Sequence, residues 1–259
     1  MSQKLVQHIN YLMKEKEVKL LMLQSKDESG ATVPRFITSP EKLAVTDFIN
    51  DRNYFALLHK PEIRAFKKIA IITNKFGVKT FLQLKHENQL GAIELVMLIP
   101  NGEDFIEITD KQQAEDYVNS LGQDSADAEV ESVKKMAAPE RWSYWMDKLE
   151  ACTKCYACRS VCPMCYCSSC TTECNTPQWI PVATTPLGNF EWHVMRSMHL
   201  AGRCIGCDEC AKVCPVNIPL NILNHSLTSK ITETYGANAN RDKYALNTFK
   251  PEDKAEFIK

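Results

Sequence analysis

No run of residues in this chain is long and apolar enough to cross a bilayer, and the opening stretch is interrupted by Lys14, Lys16 and Lys19 where a secretory leader would need an unbroken apolar core. These absences predict a soluble, cytoplasmic protein with no membrane span. An excess of one charge is missing too. The chain carries 31 basic residues against 32 acidic ones, which gives no electrostatic footing for nucleic acid or an anionic membrane. Small diffusing electron carriers tend to be strongly acidic, so near neutrality points to a fixed subunit. Glycine is sparse, and one alone, Gly77, falls in the turn of residues 73–77 where an α/β unit would hold a nucleotide or flavin phosphate. A phosphate-cradling loop needs several glycines for the backbone to approach the anion, so the turn reads as packing. No acid/base or nucleophile constellation stands out, which points away from a substrate-converting enzyme. Cysteine, finally, is absent from residues 1–151 and 215–259, so all twelve lie between.

Eight of the twelve form two copies of one pattern. Cys152, Cys155, Cys158 and Cys162 precede Pro163, and Cys204, Cys207, Cys210 and Cys214 precede Pro215. Both read C-x2-C-x2-C-x3-C-P, the run by which bacterial two-cluster ferredoxins hold a pair of 4Fe-4S cubanes. Three thiolates three residues apart line one tight turn and reach three irons of a cube, while the fourth corner must be filled from elsewhere. In this arrangement the cysteine before proline serves the other cluster. The expected sets are therefore Cys152, Cys155, Cys158 and Cys214 for one centre, and Cys204, Cys207, Cys210 and Cys162 for the other. Structural zinc also uses C-x2-C pairs but has no need of a third cysteine at the same interval with proline after the fourth. A disulfide framework is disfavoured by the absence of a signal peptide.

The remaining four cysteines, Cys165, Cys167, Cys170 and Cys174, follow the first run as C-x-C-x2-C-x3-C. Three readings stay open: a third iron–sulfur cluster, a tetrahedral zinc, or thiols without a metal. His193 and His199 precede the second run, six residues apart and so on different helical faces; core or hydrogen-bonding roles suit them better than ligation. Met195 and Met198 read as core packing. Arg203, beside Cys204, is either a charge acting on a cluster or a solvated surface residue.

Apolar periodicity organises the rest. Residues 5–17 have helical spacing, 18–23 form a short apolar run, and 40–50 read as a helix entered from Ser39. Residues 69–73 and 93–99 read as strands separated by a helix at 79–89, which predicts a small parallel α/β layer. Residues 122–140 are small and charged and read as a linker. Beyond it Trp142, Tyr144, Trp145, Met146 and Leu149 lead into the first cysteine run, a helix spans 190–200, and Pro219 opens another that stops at Gly236. The expected fold is thus α+β: an N-terminal α/β docking domain (1–121), the linker (122–140), a mostly helical ferredoxin-like dicluster domain (141–236) and an extended partner-binding tail (237–259).

Residues 155–167 (CYACRSVCPMCYC), Pro177 to Trp179, 199–207 (HLAGRCIGC) and 213–220 (VCPVNIPL) resemble the dicluster iron–sulfur proteins related to the β subunit of deazaflavin-reducing hydrogenase. The same segments are similar to the iron–sulfur subunits of anaerobic sulfite reductase and sulfhydrogenase, and residues 246–253 with Phe257 and Ile258 fit that group's ending. The resemblance covers 142–258. Where N-terminal domains of the group usually read K-G-C-D-x-R, this chain has Phe76 in place of the cysteine and Lys79 in place of the arginine. The resemblance implies an electron-transfer subunit between a flavin-containing partner and a second redox enzyme of heterodisulfide-reductase-like, hydrogenase or formate dehydrogenase type. The alternatives are a flavin site in the N-terminal domain, which would make the chain catalytic, and a zinc module that recruits partners.

Overall fold

The computed structural model of the chain describes residues 2–43, 48–122, 128–170 and 180–235. It divides into two compact units, Met1–Asp124 and Ser125–Lys259. The fold is α+β.

In the first unit α1 (Gln3–Glu15) is capped by Ser2, whose hydroxyl accepts from the Leu5 amide, and buries Leu5, Ile9, Leu12 and Met13 along one stripe. β1 (Leu20–Lys26) turns back as β2 (Thr32–Ile37). A 3-10 turn (Pro40–Lys42), β3 (Phe48–Ile49), a second 3-10 turn (Phe55–His59) and α2 (Pro61–Arg64) lead to β4 (Lys68–Ile72). Then come α3 (Lys75–His86), β5 (Glu94–Asn101), β6 (Asp104–Ile108) and α4 (Lys111–Ser120), the last capped by Asp110. The sheet order is β2-β1-β4-β5-β6, with β3 also on β1. β1, β4 and β5 run parallel, as the apolar runs predict, but β2, β3 and β6 are antiparallel.

The expected parallel layer is therefore a mixed sheet. Its additional outer strands, TVPRFI and DFIEI, are half exposed and carry Pro34 or charges, features that suit edges and weaken the apolar signal. The helix expected over 40–50 is also corrected. The Ser39-Pro40 start signal produces a single 3-10 turn, and the chain re-enters the sheet at Phe48.

In the second unit α5 (Ala128–Lys135) lies within the stretch read as linker. Its two buried residues, Val130 and Val133, are one turn apart, and Lys134 pairs with Glu131 while donating to Ser229. α6 (Ala138–Glu150), α7 (Ala157–Ser160), α8 (Pro186–Leu200), α9 (Glu209–Lys212) and α10 (Leu220–Tyr235) complete it. Val130, Val133, Trp145, Leu149, Ile180, Trp192, Ile218, Leu220 and Ile222 share one core with Cys158 and Cys210. Met195 and Met198, read as core, are exposed instead, on the outer side of α8. Among the described residues no helix is long and apolar enough to cross a membrane. Cys174 and the tail at 237–259 lie outside the described residues.

Candidate metal centre

The two cysteine runs fold as copies of each other. Each enters through two left-handed residues, Lys154 (φ 50°) and Tyr156 (φ 59°) in the first and Gly206 (φ 72°) and Asp208 (φ 61°) in the second. Each then forms a one-turn helix, α7 or α9, and these two helices pack together. Left-handed backbone at a non-glycine residue costs free energy and persists where surroundings impose it. Here it curls the chain so that backbone amides face sulfur: Lys154 N–H donates to Cys152 Sγ at 3.3 Å and the Gly206 amide to Cys204, while after a further left-handed residue, Asn217 (φ 53°), Ile218 N–H donates to Cys214 Sγ at 3.4 Å. The Asn224 side chain adds a donor to Cys210 Sγ at 3.5 Å.

Two recesses result. One is lined by Cys152, Cys155, Cys158 and Cys214 together with Lys154, Trp192 and His193. The other is lined by Cys204, Cys207, Cys210 and Cys162 together with Asp208, Glu209 and His225. Three cysteines of one run thus share each recess with the last cysteine of the other run. Among the described residues no three His, Cys, Asp or Glu side chains come together closely enough to hold a single metal ion; the sulfurs surround a space.

Burial sets the state of these thiols. It pushes Cys158 and Cys207 up to about 12 and Cys204 up to about 11, and raises Cys152 and Cys210 as well. Without metal they are neutral; bound iron would hold them as thiolates. The surroundings fit such a group. Both ring nitrogens of His193 and Nε1 of Trp192 are buried without a hydrogen-bond partner in the protein, and both residues line the first recess. Unpaired buried donors are costly, and sulfur seated in the recess would accept from them. His193 is neutral at pH 7, because burial, then Arg196 and Lys154, lower it to about 3.

The walls come from α8, which Thr185 caps through the Gly188 amide. Asn189, Trp192, His193 and Arg196 recur at helical intervals and are all buried. Asn189 donates to the carbonyls of Leu149 (3.2 Å), Glu150 (3.3 Å) and Cys152 (2.9 Å), tying the end of α6 to the first cysteine turn. Arg196 donates to the Cys158 carbonyl at 2.9 Å. Lys154, also buried, reaches the carbonyls of Pro181 and Ala183. Sequence reasoning gives His193 a core or hydrogen-bonding role but misses Asn189, Trp192, Arg196 and Lys154; the one available signal for the first three is the stripe 189, 192, 193, 196 leading into the second run.

The other four cysteines part company. Cys165 turns inward, where a hydrogen bond with Cys162 and then burial raise it, with Arg196 nearby. Cys167 is exposed, and its carbonyl accepts from Arg159. Cys170 is half-buried, and Cys174 lies outside the described residues. His199 is exposed, as α8 ends there, and Arg203 stacks on Tyr166 at 4.9 Å while donating to the His199 and Met164 carbonyls. In the first unit, a Cβ at Gly77 would stand 1.9 Å from Thr73 Oγ1 and 2.7 Å from Phe55 Cε2. That glycine is required by packing.

The 4Fe-4S binding domain family matches residues 200–219. The chain is 34% identical over 98 residues to the F420-dependent formate dehydrogenase subunit beta of Methanocaldococcus jannaschii, which covers 38% of this chain and 24% of that protein. It is 28% identical over 126 residues to the F420-dependent formate dehydrogenase 1 subunit beta of Methanococcus maripaludis, covering 49% and 30%. The chain therefore spans less than a third of the length of these curated relatives. It is an iron–sulfur protein that binds 4Fe-4S.

Proposed function

We propose that the chain is the electron-transfer subunit of a multi-subunit oxidoreductase, carrying two 4Fe-4S cubanes with exchanged fourth ligands. The observation that supports this most is the composition of the two recesses, each with three cysteines of one run and the last of the other. Cys152, Cys155, Cys158 and Cys214 would hold the first cluster, and Cys204, Cys207, Cys210 and Cys162 the second. Such clusters supply one-electron redox chemistry at potentials set by charge, hydrogen bonds and solvent access. The chain's own residues supply those settings: amides aimed at Cys152 and Cys214, the Asn224 amide at Cys210, and the Trp192 and His193 donors at the first recess.

The likeness to formate dehydrogenase β subunits supports oxidoreductase partners; that one is a flavoprotein and the other a second redox enzyme is the reading implied by the resemblance in the cysteine-rich segments. The first unit then serves as a docking platform, since Thr73 and Phe55 fill the space at Gly77 where a flavin phosphate would approach. We place the protein in the cytoplasm.

Iron, zinc and acid-labile sulfide per chain in anaerobically purified protein test the reading. About eight irons, eight sulfides and no zinc are expected for two cubanes. About twelve irons would assign Cys165, Cys167, Cys170 and Cys174 to a third cluster, and one zinc would assign them to a tetrahedral site. Four irons or fewer refute the paired reading. Tight stoichiometric binding of FAD or FMN by the chain alone would replace the relay with a catalytic flavin subunit.

A further inference from the structure

α8 runs past both recesses. Its residues Trp192 and His193 line the first and Leu200 lines the second, with Arg196 between them on the same stripe. At 1.5 Å per residue, Arg196 stands about 4.5 Å along the axis from His193 and about 6 Å from Leu200. Arg196 is 4% exposed, donates to the Cys158 carbonyl at 2.9 Å, hydrogen-bonds the Cys165 sulfur, and leaves Nε without a partner. Burial works against its charge. The neighbours that favour it are sulfurs, Cys165 first, then Cys162, Cys158 and Cys210; Cys158 is of the first ligand set, Cys162 and Cys210 are of the second, and Cys165 is of neither.

A buried cation needs a compensating anion. A carbonyl bond carries no negative charge and does not supply it. Thiolates ligating iron do. We infer that Arg196 is a fixed positive charge shared by the two iron–sulfur centres, which raises both reduction potentials by favouring the more negative, reduced form of each. The inference rests on the two-cluster reading above. It identifies Arg196 as a positioning residue that also tunes, acting through Cys158 and through space without ligating iron.

The experiment is potentiometric titration of the full chain, purified anaerobically, followed by electron paramagnetic resonance. Wild type is compared with Arg196→Gln, which removes the charge, and Arg196→Lys, which keeps it on a different donor set. Arg196→Gln is expected to lower both potentials by at least tenfold in the one-electron equilibrium constant, about 59 mV each, while Arg196→Lys stays within about threefold of wild type. A shift at one centre alone, no shift, or an equal fall in Arg196→Lys overturns the inference. If Arg196→Gln does not retain clusters, Arg196→Lys decides: loaded centres at wild-type potentials support the shared charge, and fallen potentials or lost clusters refute it. A wild type with a single centre or none overturns the two-cluster reading and this inference with it, and that outcome is visible before any variant is made.

Discussion

Asn189 offers the sharpest test of how the second unit is held around its cysteines. The residue is fully buried and its amide serves three carbonyls, those of Leu149, Glu150 and Cys152. Two of these are final carbonyls of α6: that of Leu149 also accepts from the Cys152 amide at 3.1 Å, whereas that of Glu150 has no partner inside the helix. The third begins the first cysteine turn. Asn189→Ala removes both N–H donors and leaves the carbonyls facing a small void. Each buried carbonyl without a donor costs about 1–3 kcal/mol, and those of Glu150 and Cys152 lose theirs, so the expected loss is about 3 kcal/mol. For a unit of this size about 4 °C accompanies each kcal/mol, which puts the midpoint about 12 °C lower. Asn189→Asp should fall further, since a carboxylate turned on three carbonyls adds repulsion to the lost donors. The assay is thermal unfolding under anaerobic conditions, read by circular dichroism and by the visible absorbance of the clusters, which should vanish together. An alanine variant within about 2 °C of wild type, or an aspartate variant more stable than the alanine one, would refute the reasoning.

Two further outcomes follow from packing and burial. Gly77→Ala forces a methyl against Thr73 Oγ1 and the Phe55 ring, both in the first unit. It should destabilise that unit by about 1–3 kcal/mol, seen as a lower denaturant midpoint, with iron content per chain unchanged; an unchanged midpoint counts against the packing role. In the metal-free chain the folded Cys158, Cys204 and Cys207 thiols titrate near 11–12, against about 8.5 when unfolded. Folded-state pKa values raised above the unfolded ones give stability that is complete below about pH 8.5 and is lost as pH climbs through 11–12. Denaturant midpoints of the metal-free chain should therefore drop between pH 8 and pH 10.5, while those of the iron-loaded chain, whose thiolates are already ionised, should not; a flat profile for the metal-free chain would show these thiols to be solvated.

The parts of the molecule that were legible in the sequence are those where one local pattern suffices. The cysteine spacing and prolines announce the two turns, and the runs 69–73 and 93–99 announce β4 and β5 because buried parallel strands are continuously apolar. β2 and β6 escaped because an edge strand needs apolar residues on one face at most. α5 was read as linker because it buries two valines and owes the rest of its placement to Lys134 reaching Ser229 and Glu233 on α10. Arg196 escaped for a related reason. On its own turn it is a charged residue in an amphipathic helix, and its burial appears once α8 is set against α6 and α10 and bonded to Cys158 of α7, residues far away in sequence. Lys154 and Asn189 bond to carbonyls 27–40 positions distant, a relation no local window contains.

The exchanged ligation is the central claim, and four single serine variants test it by the resonance of the reduced protein. Cys155→Ser marks the signal of the centre in the first recess, and Cys207→Ser marks the signal of the centre in the second. Cys162→Ser, although it lies in the first run, is expected to perturb the signal marked by Cys207→Ser, and Cys214→Ser the one marked by Cys155→Ser. If Cys162→Ser instead perturbs the signal marked by Cys155→Ser and leaves the other intact, each run holds its own cluster and the account is wrong.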